Sequence, residues 1–254
     1  MKRKKILLCI LLTAALLVGC NARSVTPLVV GVPTEINGTE FTITTEQAYP
    51  DDDEILAVNA IYGDQTLKLD ESLEVKGIYE VVQKDGTYVL TETGTFNDWR
   101  VVYLLRADEK GITETDVIDG SLGDMPKNPE DGFSITSKID VLGSYGGTRT
   151  YTIENGRFTT DSTLYEFRGT PDGYRPVLTV TGEISCRIEG GSTQLKPGDV
   201  ITPTAYSEDG TFYFEKEDGT PGSFQVDLDK EGNYAYTIGG VDENELFESL
   251  PYAG

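Results

Sequence analysis

From about Leu28 onward, the chain alternates short runs rich in valine, isoleucine, threonine, tyrosine and phenylalanine with pairs of glycine, asparagine and aspartate. β-Branched and aromatic residues favour strands, whereas the intervening residues favour tight reversals. Two stretches, 52–61 and 242–250, depart from this pattern and favour helices of two or three turns. The pattern predicts an all-β protein built from antiparallel hairpins.

Three hairpins can be placed from their turn residues. The strands of each pair flank a segment with the glycine that a tight reversal needs: 77–83 and 87–93 around Lys84-Asp85-Gly86, 101–106 and 112–118 around 107–111, and 149–153 and 158–165 around Glu154-Asn155-Gly156. Asn-Gly is the strongest of these turn signals. Such hairpins build either a sandwich or a small propeller, and periodicity does not choose between them.

Two segments rich in glycine and proline, 119–132 and 168–176, interrupt the strand pattern. The first is typical of a long surface loop. We expect the second to be the domain boundary. This divides the chain into an N-terminal β domain, 28–170, and a C-terminal domain, 176–254.

The beginning of the chain follows a different pattern. Residues 2–5 are all basic, and an apolar run follows from Ile6 to Val18. This run is shorter than the ~20 residues of a permanent membrane span, so it is typical of a signal peptide. Leu17-Val18-Gly19-Cys20 resembles a lipobox. The resemblance implies a signal peptide of residues 1–19, cleavage before Cys20, lipid acylation of Cys20, and a tether of residues 20–27. We therefore expect the membrane as a partner and a location on its extracytoplasmic face.

The charge excludes one class of partner. The chain carries 43 acidic and 21 basic residues, a net charge of −22, and loss of residues 1–19 would make this about −26. Such a surface repels nucleic acid, so we expect no nucleic-acid partner.

The residue types also restrict catalysis. Histidine is absent, which excludes Ser-His and Cys-His catalysis and the usual zinc sites. Cys186 alternates with Ile184 and Ile188, which predicts a buried thiol on a strand. The acidic run 51–54 is a weak calcium candidate, and the calcium-like loop from Asp227 has Ile238 where a glutamate is required. We expect no cofactor and no metal.

Candidate binding residues are aromatic. Trp99, the single tryptophan, lies near Tyr103 and predicts either a sugar-stacking platform or a strand core. Downstream, Leu195-Lys196-Pro197-Gly198-Asp199-Val200-Ile201, Asp209–Phe214 and Asp218–Val226 resemble a bacterial SH3-like domain. The resemblance implies a small barrel that often binds cell-wall peptides. Phe212 and Phe224 stand where that family usually has tryptophans.

The last residues, 247–254, are similar to the ends of uncharacterised surface lipoproteins of gut Firmicutes. We expect four residues of this tail to pack against the barrel: Leu246, Phe247, Leu250 and Tyr252. These features favour a non-catalytic role in binding or assembly at the cell envelope. The partner would be a cell-wall peptide, a glycan or another envelope protein. The alternatives are a carboxylate-dependent glycoside hydrolase and a solute-binding lipoprotein.

Overall fold

A computed structural model describes residues 23–47, 55–69, 73–94, 99–169, 175–228 and 236–253. The predicted signal peptide, Cys20 and the acidic run 51–54 lie outside these residues. So do residues 170–174 of the predicted domain boundary and residues 229–235 of the calcium-like loop.

The first part of the chain forms two antiparallel sheets. Their strands are β1 (Ser24–Pro27), β2 (Thr34–Ile36), β3 (Thr39–Gln47), β4 (Ile55–Tyr62), β5 (Gln65–Leu69), β6 (Glu74–Gln83), β7 (Gly86–Gly94), β8 (Arg100–Asp108) and β9 (Gly111–Asp119). The central sheet has the order β1-β6-β7-β8-β9, and the outer sheet has the order β2-β3-β4-β5.

The rest of the chain forms a long sheet and a small one. The elements are β10 (Ser121–Leu122), a 3-10 helix (Pro129–Asp131), β11 (Phe133–Asp140), β12 (Ser144–Glu154), β13 (Arg157–Thr159), β14 (Leu164–Phe167), β15 (Leu178–Thr179), β16 (Ile184–Ile188), β17 (Gly191–Leu195), β18 (Val200–Ser207), β19 (Thr211–Lys216), β20 (Pro221–Gln225), β21 (Asp227–Leu228), β22 (Tyr236–Ile238), β23 (Val241–Asp242) and helix α1 (Glu243–Leu246). The long sheet has the order β10-β11-β12-β14-β18-β19-β20-β16-β17, with β13 beside β12 and β15 beside β18. Strands β21, β22 and β23 form the small sheet.

The three predicted hairpins are confirmed, as β6–β7, β8–β9 and β12–β13, but the second strand of the third ends at Thr159 and does not extend to residue 165. Asn155 and Gly156 have φ angles of 53° and 75°, the left-handed conformation that a two-residue type I′ turn requires. The Asn-Gly pair at residues 37–38, between β2 and β3, has the same conformation. Local turn chemistry therefore sets these strand registers.

The central sheet is buried on both faces. One face packs against the outer sheet through a core that includes Phe41, Ile43, Val89 and Leu105. The other packs against β11 and β12 through Tyr88, Leu90, Leu104, Phe133 and Ile135. The fold therefore stacks sheets in three layers, and β7 is buried on both faces from Thr87 to Gly94.

A third core joins the two sides of the predicted boundary. It contains Tyr145 and Phe167 from before residues 170–174 together with Leu178, Phe212 and Phe224 from after them. Strand β14 also pairs with β18 across the same position. Two separately folded units would not share one sheet and one core. The predicted boundary therefore does not account for this pairing.

The all-β antiparallel prediction is confirmed, and the sheets stack in a sandwich-like arrangement. The described strands form no closed barrel, and the SH3-like resemblance stays a prediction. The helix predicted at 52–61 is wrong over Ile55–Tyr62. These residues form β4 because β3 and β5 bond both its edges, and this tertiary context overrides local propensity. The helix predicted at 242–250 is confirmed only as the single turn α1.

The C-terminal tail packs much as predicted. Leu246 and Phe247 are buried in the third core, and Leu250 packs against it. Tyr252 does not enter the core, since 43% of its surface is exposed.

Candidate functional site

Three of the four aromatic residues predicted to bind a ligand are buried. Tyr103 is 5% exposed, Phe212 0% and Phe224 4%. Each occupies an inward position of its strand, where the two-residue alternation directs the side chain into a core. These rings pack the cores and expose at most 5% of their surface, so the structure does not favour them as ligand contacts.

Trp99 is the exception. It precedes β8, and 46% of its surface is exposed. The ammonium group of Lys138, on β11, lies 5.2 Å from the centre of the indole ring. A cation over an aromatic face is attracted by the ring quadrupole, worth about 0.5–1 kcal/mol at an exposed site. This contact steadies the ring while leaving much of it open to solvent.

Lys138 is itself fixed by two further groups. Its Nζ lies 3.2 Å from Oδ2 of Asp140 and donates a hydrogen bond to the carbonyl oxygen of Ala253 at 3.3 Å. The other carboxylate oxygen of Asp140 accepts a hydrogen bond from Oγ of Ser144 at 2.6 Å. The N–H of Ala253 donates to that same Oγ at 2.9 Å. One polar network thus joins the Trp99 ring to the C-terminal tail.

Tyr252 is a second exposed aromatic residue and is adjacent in sequence to Ala253, which bonds Lys138. Its hydroxyl donates a hydrogen bond of 2.8 Å to Oε2 of Glu243, which is only 4% exposed. Burial raises the pKa of Glu243, and burial followed by the bond to Glu243 raises the pKa of Tyr252. The hydrogen bond therefore anchors the inner end of the Tyr252 ring.

We call the surface formed by Trp99, Lys138, Asp140, Tyr252 and Ala253 the aromatic patch. Its rings are held in place before any ligand arrives, which lowers the entropic cost of binding. Beside the Trp99 ring it presents the Lys138 ammonium, the Asp140 carboxylate and the Ala253 carbonyl group. Amphipathic rings beside hydrogen-bonding groups suit a ligand with an apolar face and a polar rim.

Sequence reasoning found Trp99 but missed the rest of the patch. Lys138 and Tyr252 lie 39 and 153 positions further along the chain, and the sequence carries no signal that links them. Tyr252 was expected to pack inward because its neighbours Phe247 and Leu250 are apolar.

Three groups with catalytic potential, Glu92, Glu243 and Cys186, are enclosed. The carboxylate of Glu92, 7% exposed, accepts a hydrogen bond of 2.8 Å from Arg100 Nη1. The carboxylate of Glu243 lies behind Tyr252. Cys186 is 4% exposed as predicted, and burial raises the pKa of its thiol. The described residues contain no cluster of three or more potential metal ligands.

No protein-family model, curated protein or solved structure matches this chain. Within the described ranges, no helix has the length and apolar character needed to cross a membrane.

Proposed function

We propose that this chain is a lipid-anchored surface protein whose ectodomain binds neutral carbohydrate through the aromatic patch and does not chemically change it. The observation that carries the proposal is the exposed Trp99 ring held against Lys138, which also bonds Ala253, the residue next to the exposed Tyr252.

Carbohydrate fits the chemistry of the patch. A pyranose ring has an apolar face of C–H groups that stacks on an aromatic ring, and its hydroxyl groups both donate and accept hydrogen bonds. Lys138 offers a donor, while Asp140 and the carbonyl of Ala253 offer acceptors. The net charge of −22 disfavours polyanions, so the ligand class is a neutral glycan.

The same contacts favour binding over hydrolysis. Glycoside hydrolysis needs two carboxyl groups that reach the scissile bond, one of them able to donate a proton. In the patch, Asp140 is engaged by Lys138 and Ser144. Glu243, whose raised pKa would suit an acid, is enclosed behind Tyr252.

The anchor is the second part of the proposal. Lipid attached to Cys20 would hold the protein at the membrane, and β1 begins at Ser24. Four residues span at most about 14 Å, so the sandwich would lie close to the lipid surface. Cys20→Ala should release the protein or leave it unprocessed. A processed Cys20→Ala chain that still partitions into detergent would contradict the anchor.

The binding test uses calorimetry with neutral cello-, xylo-, malto- and chito-oligosaccharides, and with polygalacturonate as the charged comparison. We expect one neutral series to bind, and Trp99→Ala and Tyr252→Ala each to weaken it by about tenfold, or about 1.4 kcal/mol. Tyr213→Ala, which removes a 36%-exposed ring from the outer face of β19, is the matched control and should leave the affinity for the oligosaccharide unchanged.

Chromatography of the same mixtures tests for turnover. We expect every oligosaccharide to be recovered intact. Hydrolysis products that form with the wild type and disappear in Asp140→Asn or Glu243→Gln would show that the protein is a hydrolase and not a binding module.

A further inference from the structure

The long sheet ends at β17, whose outer edge faces solvent. Residues 191–194 are all exposed, and no described strand pairs with that edge. Natural edge strands are usually short, or protected by lysine, proline, a bulge or a covering segment. Strand β17 has five residues, Gly-Ser-Thr-Gln-Leu, and none of these devices within it.

Three other edge strands of the described sheets are protected. The Gln65 side chain on β5 bonds the backbone of Lys110 and Ile112, which covers β5 with the start of β9. Strand β1 ends in Pro27, and β10 has only two residues. The edge of β17 has none of these forms of protection.

The register shows which backbone groups of β17 point outward. A two-residue turn joins β16 to β17, so Ile188 and Gly191 form the hydrogen-bonded pair that closes it. Antiparallel pairs alternate, which makes Arg187–Ser192 and Ser185–Gln194 the non-bonded pairs. The N–H and C=O groups of Ser192 and Gln194 therefore point away from β16, toward an added strand.

A pocket of about 330 Å³ lies beside this edge. Its lining combines hydroxyl and amide residues with Arg187 and two apolar residues, and comprises Ser185, Cys186, Arg187, Ser192, Thr211, Ser223, Phe224 and Gln225. No carboxylate in the described part of the chain forms an ion pair with Arg187. Lys196 lines the neighbouring hollow with Ser192 and Gln194.

We infer that β17 accepts an extended polypeptide segment as an additional strand, with an acidic side chain of that segment directed at Arg187. A residue placed opposite Ser192 lies in the same row as Arg187, two strand spacings or about 10 Å away. Ser192 is small, so a glutamate and the guanidinium group meet across it. Backbone hydrogen bonds supply affinity, and the ion pair supplies selectivity.

A second copy of the chain is a poorer occupant. Pairing β17 with itself would bring together two copies of Arg187 and Lys196 and two chains of net charge −22. Like charges across an interface oppose association. An extended segment with an acidic residue instead complements the two local cations.

The test uses the purified ectodomain and three short valine–threonine peptides whose central residue is glutamate, glutamine or lysine. N-methylation along their outer edge prevents the peptides from pairing with one another. At about 0.15 M salt, where screening limits the net-charge effect, we expect the glutamate peptide to bind at least about fivefold more tightly than the lysine peptide.

Two variants separate the two contributions. Gln194→Pro removes one outward N–H at an edge position where proline is tolerated. It should weaken the binding of every peptide by about tenfold or more. Arg187→Ala should abolish the preference for glutamate while leaving the glutamine peptide bound. Arg157→Ala, which removes an exposed positive charge elsewhere, is the matched control. An unchanged melting temperature checks that each variant folds.

Three results would overturn the inference. The first is no binding of the glutamate peptide up to about 1 mM. The second is full affinity in a folded Gln194→Pro variant. The third is a dimer of the ectodomain that Gln194→Pro dissolves, because the occupant would then be a second copy. None of these bears on carbohydrate binding at the aromatic patch.

Discussion

Replacing Phe212 with alanine tests whether the two halves of the chain fold together. Phe212 is fully buried and stacks on Phe224 with ring centres 5.3 Å apart. It also contacts Phe167 and Tyr145, at 6.0 and 6.4 Å, which come from before the predicted boundary. Removing a buried phenylalanine costs about 3–5 kcal/mol, and these packed rings place Phe212 near the middle of that range.

The assay is urea unfolding followed by Trp99 fluorescence and by far-ultraviolet circular dichroism. With a slope of about 3 kcal/mol per M, a loss of about 4 kcal/mol lowers the midpoint by about 1.3 M. Because the third core and the central sheet are joined through β11 and β12, we expect both signals to shift together. Val177→Ala, at a residue that is 52% exposed, should cost less than about 0.5 kcal/mol.

A Trp99 transition that keeps its midpoint while the circular dichroism changes would refute this reasoning. The C-terminal strands would then unfold separately, as the sequence predicted.

Three further predictions follow from buried or paired groups. Burial raises the pKa of Glu243 above its usual 4.5, so its contribution to stability is complete below about pH 4.5 and is lost as the pH rises through the raised value. The melting temperature of Glu243→Gln should therefore rise relative to that of the wild type as the pH increases above about 4.5, and a constant difference would contradict this. A protease cut within 170–174 should leave two fragments that co-elute in gel filtration because β14 pairs with β18; separate elution would contradict the shared sheet. The Cys186 thiol should react with iodoacetamide only in denaturant, and rapid labelling of the folded protein would show that it is accessible.

The hairpins could be predicted because their information is local. A pair such as Asn155-Gly156 adopts a left-handed turn almost regardless of its surroundings, and the flanking alternation then sets the register. Strand β4 could not be predicted in this way. Its Leu-Ala-Val sequence suits a helix equally well, and its conformation depends on pairing with β3 and β5.

The domain boundary was inferred from turn residues alone. Glycine and proline at 168–176 mark a reversal of the chain, but they do not reveal which strands pair afterwards. The pairing of β14 with β18 joins positions about 40 residues apart. Such non-local pairing has no signature in local composition.

The candidate site shows the same limit. An exposed and a buried aromatic look alike in a strand-rich sequence, and Trp99 differs from Tyr103 only through its position just before β8. The contribution of Tyr252 to the aromatic patch depends on its hydrogen bond to Glu243. The contribution of Lys138 depends on its position above the Trp99 ring.

Trp99 provides the most direct test of the central claim, because it is the only tryptophan in the chain and lies in the aromatic patch. Its fluorescence should be followed while the ectodomain is titrated with the neutral oligosaccharides. Stacking of a sugar removes water from the indole ring, so we expect a saturable change whose midpoint equals the calorimetric Kd. Tyr252→Ala should move both midpoints together. Calorimetric binding with no change in Trp99 emission would contradict the account, because the ligand would then occupy another surface.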